Sequence, residues 1–134
     1  MAEDHLPEDQ LPEDQLPEDR SIALYGHPSM LELVEATREF LADEVFPATE
    51  GRVQFHTRVS IRVLDTVARQ IRLGAAHLAD HADRLASLGY ASDRELVEAI
   101  RAGHFDQRIG ELAAVLEEDV RSKLEVADPR YLST

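Results

Sequence analysis

Cysteine is absent from this 134-residue chain, and so is any run of about 20 apolar residues. The first absence excludes disulfides, thiolate zinc sites and cysteine nucleophiles. The second excludes a helix that crosses a membrane. The N-terminal residues are acidic and contain no apolar stretch of the kind that a secretory signal requires. We therefore expect a cytoplasmic protein, because a reducing compartment suits a chain without cysteine.

The usual catalytic motifs are also missing. Neither a glycine-rich phosphate loop nor a Gly-x-Ser-x-Gly elbow occurs. The consecutive acids Glu117, Glu118 and Asp119 would fan around a helix rather than converge on one point. The sequence therefore predicts no catalytic residue, no cofactor and no enzyme activity in this chain alone.

The chain has little positive charge, and its formal net charge is −13. Residues 1–20 hold eight acids and one arginine, so they contribute −7 and the remaining residues −6. Nucleic acids and anionic lipid surfaces both repel an acidic protein. We therefore expect neither a nucleic acid nor a membrane as a partner.

The acidic N-terminal segment is repetitive. The pentapeptide of residues 6–10, Leu-Pro-Glu-Asp-Gln, recurs at 11–15 and, ending in Arg, at 16–20. Recurrent prolines block a helix interior, and one leucine per unit cannot build a core. We predict that residues 1–26 form a disordered or extended arm. It is either a solubilising extension or an acidic arm that lies on a basic surface.

Residues 27–132 have the apolar period of helices, and no segment alternates as a strand does. Ser29 to Glu32 and Ser92 to Glu95 have the pattern of capping boxes, while Gly74 and Gly89 are expected to end helices. The prediction is an all-α, single-domain bundle of four or five helices. The side chains expected to face its core are Leu33, Val34, Thr37, Phe40 and Leu41; Val59, Ile61, Val63, Leu64, Val67 and Ile71; Leu78, Ala82 and Leu85; Leu96, Val97 and Ile100; and Ile109, Leu112, Val115, Leu116, Val120 and Leu124.

Positive charge is concentrated on one predicted helix, which has five arginines and the single acid Asp65 between residues 51 and 79. Arginine is favoured at protein contacts, and its planar fork binds carboxylate or phosphate. The candidate partner-binding or anion-binding residues are Arg52, His56, Arg58, Arg62 and Arg69. Two alternatives remain open. For the arginines, the alternative to binding a partner is pairing with acids of neighbouring helices, such as Glu35, Glu39, Asp43, Glu117 and Glu118. For His56, the alternative is a partly buried histidine bonded to a backbone carbonyl.

His77 and His81 are four residues apart, so one helix face presents both imidazoles. Such a pair can share a zinc or nickel ion. The sequence nominates no third ligand, so no metal site is predicted and the pair is a candidate only. The alternative is an exposed polar face.

Several short motifs together carry a family resemblance. They are Glu50-Gly51-Arg52, Phe55-His56, Arg58-Val59, Leu73-Gly74, Ile100-Arg101-Ala102-Gly103, Lys123-Leu124 and Pro129-Arg130-Tyr131-Leu132. With this order and spacing, residues 27–132 resemble a small bacterial family known as a domain of unknown function. Its members typically have Asn where this chain has Arg62 and Asp128.

The resemblance implies a function for this chain. Members of that family are typically encoded beside an aminoglycoside-phosphotransferase-like kinase and an acyl-CoA dehydrogenase. They include the small accessory protein of the levulinate catabolic operon, which works with a kinase that phosphorylates 4-hydroxyacyl-CoA. The implied role is a non-catalytic subunit that supports such a kinase, with acyl-CoA near Arg52, Arg58 and Arg62 at the shared interface. The alternatives are a homo-oligomeric helical protein without a kinase partner and a small helical metal-binding protein.

Overall fold

The computed structural model describes residues 24–133, which contain four α-helices and no strand. The helices are α1 (Met30–Phe40), continued by a π-helical turn (Leu41–Val45), α2 (Gly51–Ser87), α3 (Asp93–Arg101) and α4 (Ile109–Ala127), followed by a 3-10 turn (Pro129–Leu132). The all-α prediction is confirmed. The predicted arm lies, apart from its last three residues, outside the described part. None of the helices in this range is long and apolar enough to cross a bilayer.

The described residues divide into two compact units, 24–64 and 65–133, and α2 begins in the first and ends in the second. In the first unit, the predicted capping box starts α1. The Ser29 hydroxyl accepts the Glu32 backbone N–H at 3.2 Å, and the Glu32 carboxylate accepts the Ser29 N–H at 2.7 Å. Both bonds satisfy backbone donors that the first turn of a helix leaves free.

Burial in the first unit differs from the expected pattern. Among described residues 24–64 no apolar side chain is buried, and Leu33 and Phe40 of α1 are exposed. On α2 the predicted row of Val59, Val63 and Val67 is also exposed, and the covered position is Thr57. Thr57 can be covered because its hydroxyl donates to the Val53 carbonyl at 2.9 Å. The prediction was wrong for this row because two faces of α2 have helical spacing, and the packed one carries Thr57, Ile61 and Leu64.

The second unit contains an apolar core where α2 ends and α3 and α4 meet it. Its buried residues are Leu85, Leu88, Leu96, Ala99, Phe105 and Leu112. Leu85, Leu96 and Leu112 were predicted to be there and are confirmed. Several other predicted core residues are exposed instead: Leu78, Ala82, Val97, Ile100, Ile109, Leu116 and Val120. A helix that packs on one side can bury only part of an apolar surface this wide.

The predicted stop at Gly74 is wrong, because α2 runs through it as one continuous helix to Ser87. A single glycine only weakens a helix, and Leu73, Ala75 and Ala76 around it are good helix formers. The predicted end at Gly89 is confirmed. Gly89 has φ +90°, the Tyr90 N–H donates to the Leu85 carbonyl at 3.0 Å, and the Gly89 N–H donates to the Ala86 carbonyl at 2.9 Å. This bond pair is the Schellman motif.

The second predicted capping box, at the start of α3, is only half formed. The Ser92 side chain accepts the Glu95 N–H at 3.3 Å, as expected. The Glu95 carboxylate accepts the N–H of Ala91 at 2.9 Å rather than that of Ser92.

The two glycines should respond in opposite ways to substitution by alanine. Gly74→Ala adds a Cβ into open space within a helix and should stabilise the protein by about 0.5–1 kcal/mol. Gly89→Ala places a Cβ at positive φ and should cost about 1–2 kcal/mol. The midpoint temperature of unfolding should rise in Gly74→Ala and fall in Gly89→Ala, by about 2–4 °C for each kcal/mol. A loss of stability in Gly74→Ala would contradict a continuous α2.

Candidate functional site

In the first unit, the side chain of Arg58 on α2 packs against Phe46, which lies in the segment that precedes α2. The Arg58 guanidinium lies 5.2 Å from the centre of the Phe46 ring. The Gln54 side chain donates to the Phe46 carbonyl at 3.2 Å. These two contacts attach the segment between the π-helical turn and α2 to the face of α2 that carries Arg58. A guanidinium held by its face keeps its N–H edge in position for an acceptor.

The predicted arginines do not all lie on one side of α2. The Arg52 Nε donates to the His56 Nε2 at 3.4 Å, and the His56 ring meets the Phe55 ring edge-on at 5.5 Å between centres. Residues 52 and 58 differ by about 240° around a helix, so Arg52 and Arg58 face different sides. His56 is exposed, so the alternative of a partly buried histidine is wrong.

Arg62 follows Arg58 by one turn of α2, on the same side of the helix. Arg69 belongs to the second unit and makes its hydrogen bonds within that unit. Its Nε donates to the Val126 carbonyl of α4 at 2.7 Å, and its guanidinium donates to the Thr66 hydroxyl at 3.0 Å. Arg58 and Arg62 therefore remain together as the basic residues of the first unit that share one helix side.

Next to these two arginines runs an exposed apolar row, formed by Phe55, Val59 and Val63 and called here the α2 apolar row. Their relative exposures are 59%, 42% and 56%. Each valine directly follows one of the arginines, Arg58 or Arg62, so the two rows lie about 100° apart around α2. An apolar stripe bordered by arginine has the composition of a protein interface rather than of a solvated face. We take this surface as the candidate functional site.

The two histidines of the metal hypothesis lie in the second unit and face carboxylates of other helices. The His77 Nε2 is 2.7 Å from the Glu125 carboxylate, and the His81 Nδ1 is 3.0 Å from that of Asp119. The His81 Nε2 is 3.1 Å from the carboxylate of Asp93, which begins α3. The expected exposed polar face is therefore wrong, because both imidazoles are half-buried against carboxylates.

Both ring nitrogens of His81 therefore face an acceptor. A neutral imidazole has one N–H, so the two contacts together favour the imidazolium. The hydrogen bonds to Asp119 and then Asp93 accordingly raise the pKa of His81. Burial is the largest influence on Asp119 and acts upward. The hydrogen bonds from His81 and Arg84 outweigh it, so the pKa of Asp119 lies below its ordinary value.

Arg84 completes this network, since its Nε donates to the Asp119 carboxylate at 2.8 Å. His77, His81 and Arg84 occupy one side of α2 at helical spacing, and the carboxylates of Asp119 and Glu125 reach it from α4. Within the described range no group of three or more potential metal ligands is arranged to hold an ion. The contacts of His77, His81 and Arg84 therefore join α2 to α4, and the contact of His81 with Asp93 also joins α2 to α3.

A small all-α protein with an exposed apolar row on α2 is thus the class that fold and site define. The chain belongs to the DUF6285 family, a domain of unknown function, whose model matches residues 47–131. The match begins just before α2 and ends in the 3-10 turn, and it bears out the expected kind of family. No curated protein and no solved structure is significantly similar to the chain.

The His81 contacts predict how stability depends on pH. A pKa that is raised in the folded state gives stability that is complete below the unfolded value of about 6.5 and is lost as pH rises through the folded value. The free energy of unfolding should therefore fall as the pH rises above about 6.5, by about 1 kcal/mol or less for a partly exposed ion pair. His81→Gln should flatten this slope in urea titrations. An equally steep slope in the variant would contradict the assignment.

Asp119 should be more important to stability than the exposed acids. Asp119→Asn removes the negative charge that Arg84 and His81 share, leaves only one neutral acceptor oxygen, and should cost about 1–3 kcal/mol. The matched control is Glu98→Gln, which removes an exposed pair with Arg94 at 3.3 Å and should change little. Urea unfolding of both variants measures the difference. Equal losses would show that the Asp119 network contributes no more than a surface pair.

Proposed function

We propose that this protein is a non-catalytic accessory subunit of a cytoplasmic kinase of the aminoglycoside-phosphotransferase type, acting on a hydroxyacyl-CoA. The kinase supplies the nucleotide site and the chemistry. The helical protein binds it and stabilises its active form or completes its acyl-CoA pocket. The proposal takes the kind of kinase and substrate from the family resemblance of residues 27–132.

The observation that carries the proposal is the α2 apolar row beside Arg58 and Arg62. Covering Phe55, Val59 and Val63 removes apolar surface from water, at a gain of about 25 cal/mol for each Å². The described part of the first unit buries none of its own apolar side chains. A partner that covers the row therefore supplies a core that this unit lacks.

The arginine edge supports the acyl-CoA part of the proposal. Coenzyme A carries a pyrophosphate and a 3′-phosphate, and arginine binds such groups through paired N–H donors. Arg58 is held against Phe46 at 5.2 Å, so less side-chain freedom is lost when it binds an anion. The acidic net charge of −13 makes a local pair of arginines the favourable place for a phosphate.

Co-expression with the phosphotransferase-like kinase of the same genome tests the partner. We expect one co-eluting complex in size-exclusion chromatography and phosphorylation of a 4-hydroxyacyl-CoA that neither protein supports alone. Separate elution together with full activity of the kinase alone would show that the proposal is wrong. A symmetric oligomer of this chain that captures no kinase would favour the homo-oligomeric alternative.

Two variants with matched controls locate the surface. Val59→Asp should weaken the complex at least about tenfold, because it buries a carboxylate in an apolar contact. Val97→Asp alters an exposed valine of α3 and should not. Arg58→Ala should raise the KM for the acyl-CoA more than that for the nucleotide, whereas Arg94→Ala, at an exposed site on α3, should change neither. Unchanged affinity and kinetics in Val59→Asp and Arg58→Ala would remove the α2 surface from the proposal.

A further inference from the structure

The second unit carries another exposed apolar face, on the side of α4 turned away from its packed residues. It is called here the α4 outer face and consists of Ile109, Ala113, Leu116, Val120 and Leu124. Ile109 and Val120 are 71% and 53% exposed. Leu116, Val120 and Leu124 also line a groove of about 500 Å³ that Leu132 of the 3-10 turn closes on one side.

The spacing along this face is that of a helix that packs on a second helix. Its members follow one another by four, three, four and four residues, which keeps them on one stripe. Leu112 and Asp119, which face the rest of the second unit, lie along one edge of this stripe, about 80–100° from its centre. One helix thus has an inner side that is already packed and an outer side that is not.

We propose that the α4 outer face binds the same face of a second copy of this chain, with the two α4 helices antiparallel across a twofold axis near residue 118. The proposal does not rest on the kinase partnership, because it uses a different helix and a different unit. Two properties of this face favour a second copy as its partner, namely the sizes of its side chains and the charges beside them.

Size complementarity fixes the register. In an antiparallel pair centred near residue 118, a residue that precedes the centre by some number of positions faces the partner's residue that follows the centre by about the same number. Leu116 then faces the partner's Val120, Ala113 faces the partner's Leu124, and Ile109 faces the partner's Ala127. Each of the two outer layers combines a large side chain with alanine, which lets the helices pack without voids or clashes.

Charge complementarity gives the direction. Glu117 and Arg121 lie one turn apart along the same edge of the α4 outer face. In the antiparallel arrangement Glu117 lies beside the partner's Arg121, and the twofold repeats this pair. A parallel pair would instead place each residue level with its own copy. Arg121 also lies 3.7 Å from Glu118 on its own helix, but an exposed pair of this kind holds a side chain only weakly.

Sedimentation equilibrium of the full chain over a range of concentrations tests the proposal. We expect a species of twice the 15.0 kDa chain mass that dissociates on dilution, because one helix pair is at the small end of stable interfaces. Val120→Asp should raise the Kd at least about tenfold, and Val97→Asp should leave it unchanged. A monomer at every concentration would overturn the proposal. A dimer that resists Val120→Asp, or that Val97→Asp weakens equally, would also overturn it.

Exchanging the charges of Glu117 and Arg121 tests the antiparallel register. Both side chains are exposed, so these substitutions should not disturb folding. Glu117→Arg and Arg121→Glu should each weaken self-association, because like charges then face one another. Mixing these two variants should restore a dimer, and so should the double variant in one chain. Failure of both to associate better than the single variants would exclude this register. Circular dichroism of each variant checks that its helices are intact.

Discussion

One carboxylate, that of Asp119, joins two cationic side chains of α2, and the arrangement of the second unit depends on it. Arg84 donates to it at 2.8 Å and His81 lies 3.0 Å away. Apolar contacts between leucines tolerate small shifts along a helix, but a half-buried carboxylate needs its donors at fixed positions. The Asp119 contacts therefore define the register of α4 on α2, and the buried leucines next to them supply the hydrophobic free energy. Specificity and stability come from different residues of the same interface.

This division of roles has a consequence for the surface. The packed side of α4 carries both Leu112 and Asp119, and the apolar residues of its other side, such as Ile109 and Val120, remain in water. The same holds in the first unit, where Thr57 is covered while the α2 apolar row is exposed. Both observations have one physical cause, since a helix with apolar residues on two sides can bury only one of them within a small unit. Exposed apolar stripes are costly for an isolated protein, and this cost is the physical reason for proposing that other chains cover them.

The sequence predicted those parts of the fold that depend on local interactions. The capping box at Ser29 and the helix end at Gly89 follow from backbone groups within a few residues of one another, and both are present. The side of each helix that is packed depends on tertiary partners, and there the prediction for Val59, Val63 and Val67 was wrong. The candidate site shows the same limit. The arginines were visible in the sequence, but the contact of Arg58 with Phe46 and the pairing of His81 with Asp119 depend on how distant segments meet.

The two exposed apolar faces differ mainly in the charges beside them, and those charges argue for different partners. Apolar surface alone does not discriminate, since any apolar partner gains from covering it. The α2 apolar row is bordered by two residues of one sign, Arg58 and Arg62, so a copy of itself would bring like charges together while an anionic partner would not. The α4 outer face is bordered by Glu117 and Arg121, which a twofold axis makes complementary to themselves. On an acidic chain, local charge order therefore favours the proposed assignment of one surface to a different molecule and of the other to a second copy.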